Sequence, residues 1–215
     1  MQDLFRCYIT QYMERGGWGI VLLLVSLLLT HGPACTASEA DDPSGALTAA
    51  HGYCTQELVN RLLTGRAVSN VFDGVRSLDG GTELRGVGRR SRLGLLTLFE
   101  WFKYVEVGQF LKDPELPVWV VCSESHFTLL FAVDQRAAAG RRPFDLVYYD
   151  GLANQEARVV LSVGASADGG WSARVGESAG DRGCCNGKSI PPLECVIETK
   201  WPGVEVHWNG AEPIL

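Results

Sequence analysis

His126 is the residue in this chain best placed by its surroundings to handle protons. It stands in PVWVVCSESHFTLLFAVD (Pro117–Asp134), where two apolar runs flank a short polar turn and the histidine opens the second run. Imidazole is the side chain whose ordinary titration falls near neutral pH, so it suits general acid and base work. Two strands read from the pattern, Val118–Cys122 and Phe127–Val133, joined by Ser123-Glu124-Ser125 as a three-residue hairpin turn. Phe144–Tyr149 reads as a third strand after a loop over Gln135–Pro143. Antiparallel pairing about the centre of that loop sets residue 126 roughly opposite residue 150 or 151, which brings Asp150 within cross-strand reach of His126. A carboxylate beside an imidazole fixes its tautomer and favours the imidazolium, the orienter and base of a catalytic triad. The plain readings stand beside this one. A histidine at a hairpin is often a surface or packing residue, and Asp150-Gly151 is a common turn pair.

A triad needs a nucleophile. Cys122 flanks the same turn, and a thiol beside an imidazolium loses its proton more readily. It lacks a helix N-terminus and a glycine-rich neighbour for an oxyanion hole, and a small buried hydrophobe explains it as well. Cys54 precedes a helix, where the dipole lowers a thiol pKa, with only His51 nearby in sequence. His51 and Cys54 form one H-x-x-C pair, but no C-x-x-C occurs and adjacent Cys184 and Cys185 chelate poorly. No metal site and no cofactor is expected from such spacings.

The elements that must carry these residues divide the chain. Leu4, Phe5, Tyr8, Ile9 and Tyr12 recur at helical spacing, with Gly16-Gly17 as the stop. WGIVLLLVSLLLT (Trp18–Thr30) is too short for a membrane span and reads as a buried core helix ended by His31-Gly32-Pro33. The competing reading is a signal peptide cleaved near Ala37, which would make the chain a small secreted domain. Residues 33–50 and 164–189 read as mobile loops. TQELVNRLLTG is a helix with Leu58, Val59, Leu62 and Leu63 on one face, TELRGV a short strand, and LGLLTLFEWFKYVEV a helix capped by Ser91. Ala157–Val163 reads as a fourth strand, and LECVIETKW with VEVHWNG as a last pair. A helical first half followed by antiparallel strands is α+β.

The totals narrow the function. The 215 residues suffice for one domain with a real core, and 46% apolar residues indicate a globular chain. A net charge of −6 argues against a nucleic-acid binder. Seven cysteines, an odd number with several inside apolar stretches, read as free thiols in a reducing cytoplasm or nucleus.

Four blocks carry a resemblance: HGYCTQELVNRLLTGRAVSNVFD, VWVVCSESHFTLLF, FDLVYYDGLANQ and PPLECVIETKWPGVEVHWNGAEPIL. In this order they resemble the MINDY family of deubiquitinases, from about residue 1 to the C-terminus. The resemblance implies a papain-like α+β cysteine isopeptidase that trims ubiquitin chains, with K48-linked polyubiquitin preferred. It also implies that His126, in SESHF, is the general base and acid, with ubiquitin and polyubiquitin as partners; no nucleic acid or membrane partner is expected, from the net charge and the short apolar run. The family nucleophile is a cysteine in a Gly-Pro-Cys-Gly-like segment at a helix start, and no such string occurs in these residues. The expectation is therefore residues 1–215 as the C-terminal portion of one catalytic domain, incomplete at the N-terminus and inactive as given. Cys54 and Cys122 match family positions other than the nucleophile. Asp150 as the residue steadying the imidazole comes from the strand geometry alone. A non-catalytic ubiquitin-chain binder on the same fold is the alternative. A missing core segment would also leave apolar area exposed and the chain prone to aggregate.

Overall fold

A computed structural model of the chain describes residues 2–14, 18–134, 143–153, 155, 157–165, 184–185, 188–189 and 191–213. Its centre is a six-stranded sheet built from β3 (Gly94–Thr97), β4 (Val118–Ser123), β5 (His126–Ala132), β6 (Phe144–Tyr149), β7 (Val159–Ala165) and β10 (Val204–His207). The order is β10-β7-β6-β5-β4-β3, with β3 parallel to β4 and every other pair antiparallel. Two small ribbons, β1 (Val75–Ser77) with β2 (Glu83–Arg85) and β8 (Cys184–Cys185) with β9 (Lys188–Ser189), lie outside it. The fold class is α+β, as the sequence predicts.

One face of the sheet is covered throughout its centre and the other mainly at β3 and β4, with Phe127, Leu129 and Tyr149 exposed beyond them, and strand alternation sorts the side chains between the two faces. Trp119, Val121, Leu130, Leu146, Tyr148, Leu161 and Val163 point to one face, under helices α5 (Leu98–Trp101) and α7 (Pro192–Lys200). Val120 and Cys122 point to the other, against Val59 of α4 (Gln56–Thr64) and Leu111 of α6 (Gln109–Lys112). Because β3 lies between the two cores, all four of its residues are buried and its sequence shows no alternation.

That accounts for one correction. LGLLTLFEWFKYVEV is not one helix: Gly94–Thr97 is strand, and α5 begins only after Thr97, whose side chain accepts from Phe99 N–H as its cap. A short continuous apolar run is read equally well as buried strand or buried helix. Ser91 caps nothing, and its hydroxyl donates to the Leu63 carbonyl at 2.9 Å. LECVIETKW is helix α7, not strand. Pro192 starts it, and buried Leu193, Val196 and Ile197 sit at helical spacing that the β-branched residues disguised.

The N-terminal quarter departs from expectation as well. Helices α1 (Gln2–Met13) and α2 (Gly19–His31) form, and α2 ends at His31 with the Gly32 N–H on the Leu28 carbonyl at 2.8 Å. Yet α2 is no core helix: Val21, Leu22, Val25 and Leu29 are exposed, Leu29 at 72%. An apolar run with no polar stripe gives no sign of which face is covered. Residues Pro33–Glu39 form helix α3, bent 87° from α2 and opened by its first-turn proline, where the sequence reads as loop. Glu39 ties this corner to the body. It accepts from His31 Nε2, Arg66 Nη1 and the buried Ala67 N–H, each at 2.7 Å. Burial opposes its ionisation, but the Ala67, Arg66 and His31 hydrogen bonds win and lower its pKa. In α4, capped by Thr55 and closed by Gly65 at φ +79°, Leu58 and Val59 are buried as predicted, but Leu62 is exposed and Asn60 and Arg61 are buried instead. Asn60 earns its place by donating to the carbonyls of Val68 and Asn70 at 2.8 and 3.0 Å.

The loop expected over residues 164–189 and the one over Gln135–Pro143 fall almost wholly outside the described residues, as does the Gly16-Gly17 break. Among the described residues no single helix is long and apolar enough to cross a membrane.

Candidate functional site

The site lies at one end of β5 and β6. Ser123 and His126 are direct cross-strand partners, so the turn between them has two residues, Glu124 and Ser125, rather than three. Glu124 takes a left-handed φ of +55°, which tightens the hairpin. The strand pleat then decides which cysteine can meet the imidazole. His126 shares its face with Ser123, Thr128 and Leu130, whereas Cys122 pairs with Phe127 and faces the other way. Cys122 lines a cavity of about 160 Å³ on that opposite side, with Cys54, Thr97 and Phe127.

Asp150 follows β6 directly. Leu129 pairs with Tyr149, so the register carried one step further sets Asp150 opposite Thr128, two residues from the alignment expected with His126. The two share a face, and the carboxylate reaches diagonally to the ring. Asp150 Oδ2 lies 2.8 Å from His126 Nε2. Its other oxygen, Oδ1, accepts the N–H groups of Leu152 at 2.8 Å and Ala153 at 3.4 Å, an Asx turn that explains Asp-Gly here without displacing the pairing. The Asp150 side chain is 6% exposed and that of His126 25%, so the carboxylate is buried behind a ring that still meets solvent. Burial pushes the Asp150 pKa up, but the Leu152 N–H, the imidazole and the Ala153 N–H outweigh it, and the net shift is down. Asp150 is thus an anion at neutral pH and holds a proton on Nε2. Among the described residues, Nδ1 has no hydrogen-bond partner.

No described cysteine makes a hydrogen bond to His126. Burial raises the pKa of Cys54, and it raises that of Cys122 against a small opposing effect of the Thr97 hydroxyl. Cys195, buried in α7, is pushed up to about 11 by burial and by Glu198 and Glu194. None of these three is an activated thiolate. His51 and Cys54 gather no third ligand, and no group of three or more His, Cys, Asp or Glu side chains among the described residues could hold a metal ion. His207 is exposed on β10 and His31 is engaged with Glu39.

Sequence reasoning missed Gln155, whose side-chain Oε1 accepts the Asp150 N–H at 3.1 Å. Nothing in the spacing of loop residues gives that contact away.

Comparison with known proteins places this hairpin in a family. Residues 1–210 match the conserved domain of the deubiquitinating enzymes MINDY-3/4. This chain belongs to the MINDY-3/4 family. The human protein named "Probable ubiquitin carboxyl-terminal hydrolase MINDY-4" is 46% identical over 209 residues, which cover 94% of this chain and 26% of that protein. Its Xenopus tropicalis counterpart is 44% identical over 97% of this chain and 27% of its own length. Human ubiquitin carboxyl-terminal hydrolase MINDY-3 is 40% identical over 145 residues, 66% of this chain and 32% of its own. The chain therefore spans about a quarter of the length of the MINDY-4 relatives it matches. No solved structure matches it.

Proposed function

We propose that this MINDY-3/4 domain carries the histidine half of a cysteine-type deubiquitinase site, in a papain-like arrangement, and acts on K48-linked ubiquitin chains. One observation carries the reading: a partly exposed imidazole is held through Nε2 by a buried, ionised Asp150, and its Nδ1 has no partner among the described residues.

The chemistry follows from that orientation. With Nε2 protonated toward Asp150, Nδ1 is the nitrogen that takes a proton from a thiol. The thiolate attacks the carbonyl of the isopeptide bond at the ubiquitin C-terminus, and the imidazolium returns its proton to the departing lysine amine. In the second step Nδ1 removes a proton from water, which attacks the acyl-enzyme and frees the ubiquitin carboxylate. Asp150 keeps its charge throughout and stabilises the imidazolium. Three of the described cysteines fit the nucleophile's role poorly: Cys122 is on the wrong face, and the thiols of Cys54 and Cys195 are raised in pKa. In this reading the thiol served by His126 is a residue other than these three. The acidic balance of −6 suits a basic binding face on ubiquitin and speeds encounter more than it tightens binding.

Cleavage of K48-linked tetraubiquitin, followed on gels, tests the proposal in a form of the protein that turns over. His126→Ala should reduce kcat by about 10²–10⁴. K63-linked chains should be cut more slowly than K48-linked ones. A His126→Ala protein with undiminished turnover would sink the acid–base assignment. Covalent labelling of the 215-residue chain by a ubiquitin C-terminal electrophile, abolished by Cys122→Ala, would sink the exclusion of Cys122.

A further inference from the structure

Beneath the His126–Asp150 pair lies a polar set that the chemistry above leaves unused. Asp150 is the first residue past β6, and its N–H donates to Gln155 Oε1 at 3.1 Å instead of to β5. The Gln155 N–H in turn donates to the Ala153 carbonyl at 2.9 Å. Asp150 is thus tied twice over to the residues that follow it. The Asp150 carboxylate reaches forward to the Leu152 and Ala153 N–H groups, and the Gln155 amide reaches back to the Asp150 N–H.

Three buried polar atoms close to this loop have no hydrogen-bond partner among the described residues: Thr128 Oγ1, Tyr148 Oη and Gln155 Nε2. Thr128 is the residue the register sets opposite Asp150, and Tyr148 precedes Asp150 by two on the same face. Both are almost fully buried. Burial raises the Tyr148 phenol pKa, the Thr128 hydroxyl partly offsets this without reaching full hydrogen-bond geometry, and the charge of Asp150 adds to the rise. A glutamine that keeps its Nε2 buried and unsatisfied is held there at a cost, and an apolar side chain of the same length would avoid that cost. What the amide gains is its bond to the Asp150 backbone.

We propose that Gln155 is a positioning residue for His126. It fixes the Asp150 backbone where β6 leaves the sheet. Oδ1 is thereby kept on the loop N–H groups, Oδ2 on Nε2, and the ring in the tautomer with Nδ1 unprotonated. Without the amide, Asp150 is free to turn about its backbone, and a shift of about 1 Å in an aligning group costs on the order of 100-fold in rate. This assignment rests on His126 being the general base, but its structural half can be tested without any activity.

The test is 15N NMR of the His126 ring in the full chain, with Asp150→Asn as the reference for a lost pairing. The wild-type ring should show the Nε2–H tautomer, with Nδ1 as a bare acceptor. Gln155→Met keeps the volume and removes the acceptor, and should move both nitrogens toward the averaged pattern of the mixed tautomers. Gln155→Glu restores an acceptor and should return the wild-type pattern. If Gln155→Met does not fold, Gln155→Ala is read in the same way. In a protein that cleaves ubiquitin chains, Gln155→Met should lower kcat about 10- to 100-fold with KM unchanged. A wild-type ring spectrum in Gln155→Met, a ring in Gln155→Glu that has lost the wild-type pattern, or an effect confined to KM would overturn the assignment. The deubiquitinase reading fails separately, if His126→Ala leaves turnover intact while the tautomer responds to Gln155 as described.

Discussion

Asp150 uses both of its oxygens as acceptors, and that makes asparagine an informative replacement. Oδ1 serves the loop N–H groups and Oδ2 serves His126 Nε2. Asparagine has one oxygen and one NH₂. If the oxygen stays on Leu152 and Ala153 N–H, the NH₂ faces Nε2 and requires it to be unprotonated. The ring then carries its proton on Nδ1, the wrong nitrogen for the proposed base. Asp150→Asn should therefore fold normally and lose about 10²–10⁴ in kcat, measured on K48-linked chains. Its pH signature follows from the depressed pKa. The Asp150 carboxyl titrates below its ordinary value near 3.8. The stabilisation it gives the fold is thus fully present above that value and is lost as pH falls through the lower, folded pKa. The part of the stability gap between wild type and Asp150→Asn that comes from the carboxyl's own titration should persist down to the ordinary carboxyl value near 3.8 and disappear only in stronger acid, as chemical denaturation at a series of acid pH values would show. At this scale much of the pair was legible. His126 and Asp150 are named by residue type and by symmetry about the 135–143 loop, within two residues of the true register. Gln155, Thr128 and Tyr148 were not, because side-chain contacts inside an irregular loop leave no period in a sequence.

At the scale of elements, β4 to β7 were legible because alternation or dense β-branched content marks a strand, and the turn between β4 and β5 was off by a single residue. Two of the misreadings, β3 and α7, lie in buried segments: β3 is covered on both sides, so its pattern reports no direction, and in α7 β-branched residues disguise the helical spacing. Gly94 shows how tight that burial is. It pairs with Trp119 in the parallel ladder, and a Cβ placed on it would sit 2.2 Å from Trp119 Cδ1 and 2.5 Å from the Leu111 carbonyl oxygen. The indole cannot move away easily, since its Nε1 donates to the Lys112 carbonyl at 2.9 Å and its ring packs edge-on against Trp201 at 5.3 Å. Gly94→Ala should destabilise the fold by about 1–3 kcal/mol through overpacking. Gly88→Ala is the control: nothing lies within 4 Å of its added Cβ, and it should stay within about 0.5 kcal/mol of wild type. Urea denaturation of both decides it, and equal midpoints would mean that β3 is not wedged between the two cores.

Taken as a whole, the molecule is a sheet covered on one face and partly on the other, with an N-terminal helical corner tied to it by polar contacts. Arg61 Nη2 donates to the Leu27 carbonyl at 3.1 Å, and Glu39 gathers His31, Arg66 and the Ala67 N–H. Helix α2 is apolar nearly throughout, yet among the described helices and strands α1 and α3 are its main neighbours, and Leu22, Val25 and Leu29 point outward in one stripe. The sequence supplied the apolarity but not the exposure, since burial depends on what lies opposite a helix and not on the helix itself. A stripe of this kind contributes little to folding, because its area is not removed from water, and it promotes association between molecules instead. The triple substitution Leu22→Gln, Val25→Gln and Leu29→Gln keeps helix-forming residues while removing the stripe. It should leave the urea midpoint of the chain nearly unchanged, within about 0.5 kcal/mol per site. It should also raise the concentration at which static light scattering departs from that of a monomer. A large loss of stability with no gain in solubility would show that α2 is covered in solution, and that the attachment of this corner to the sheet differs from the one described.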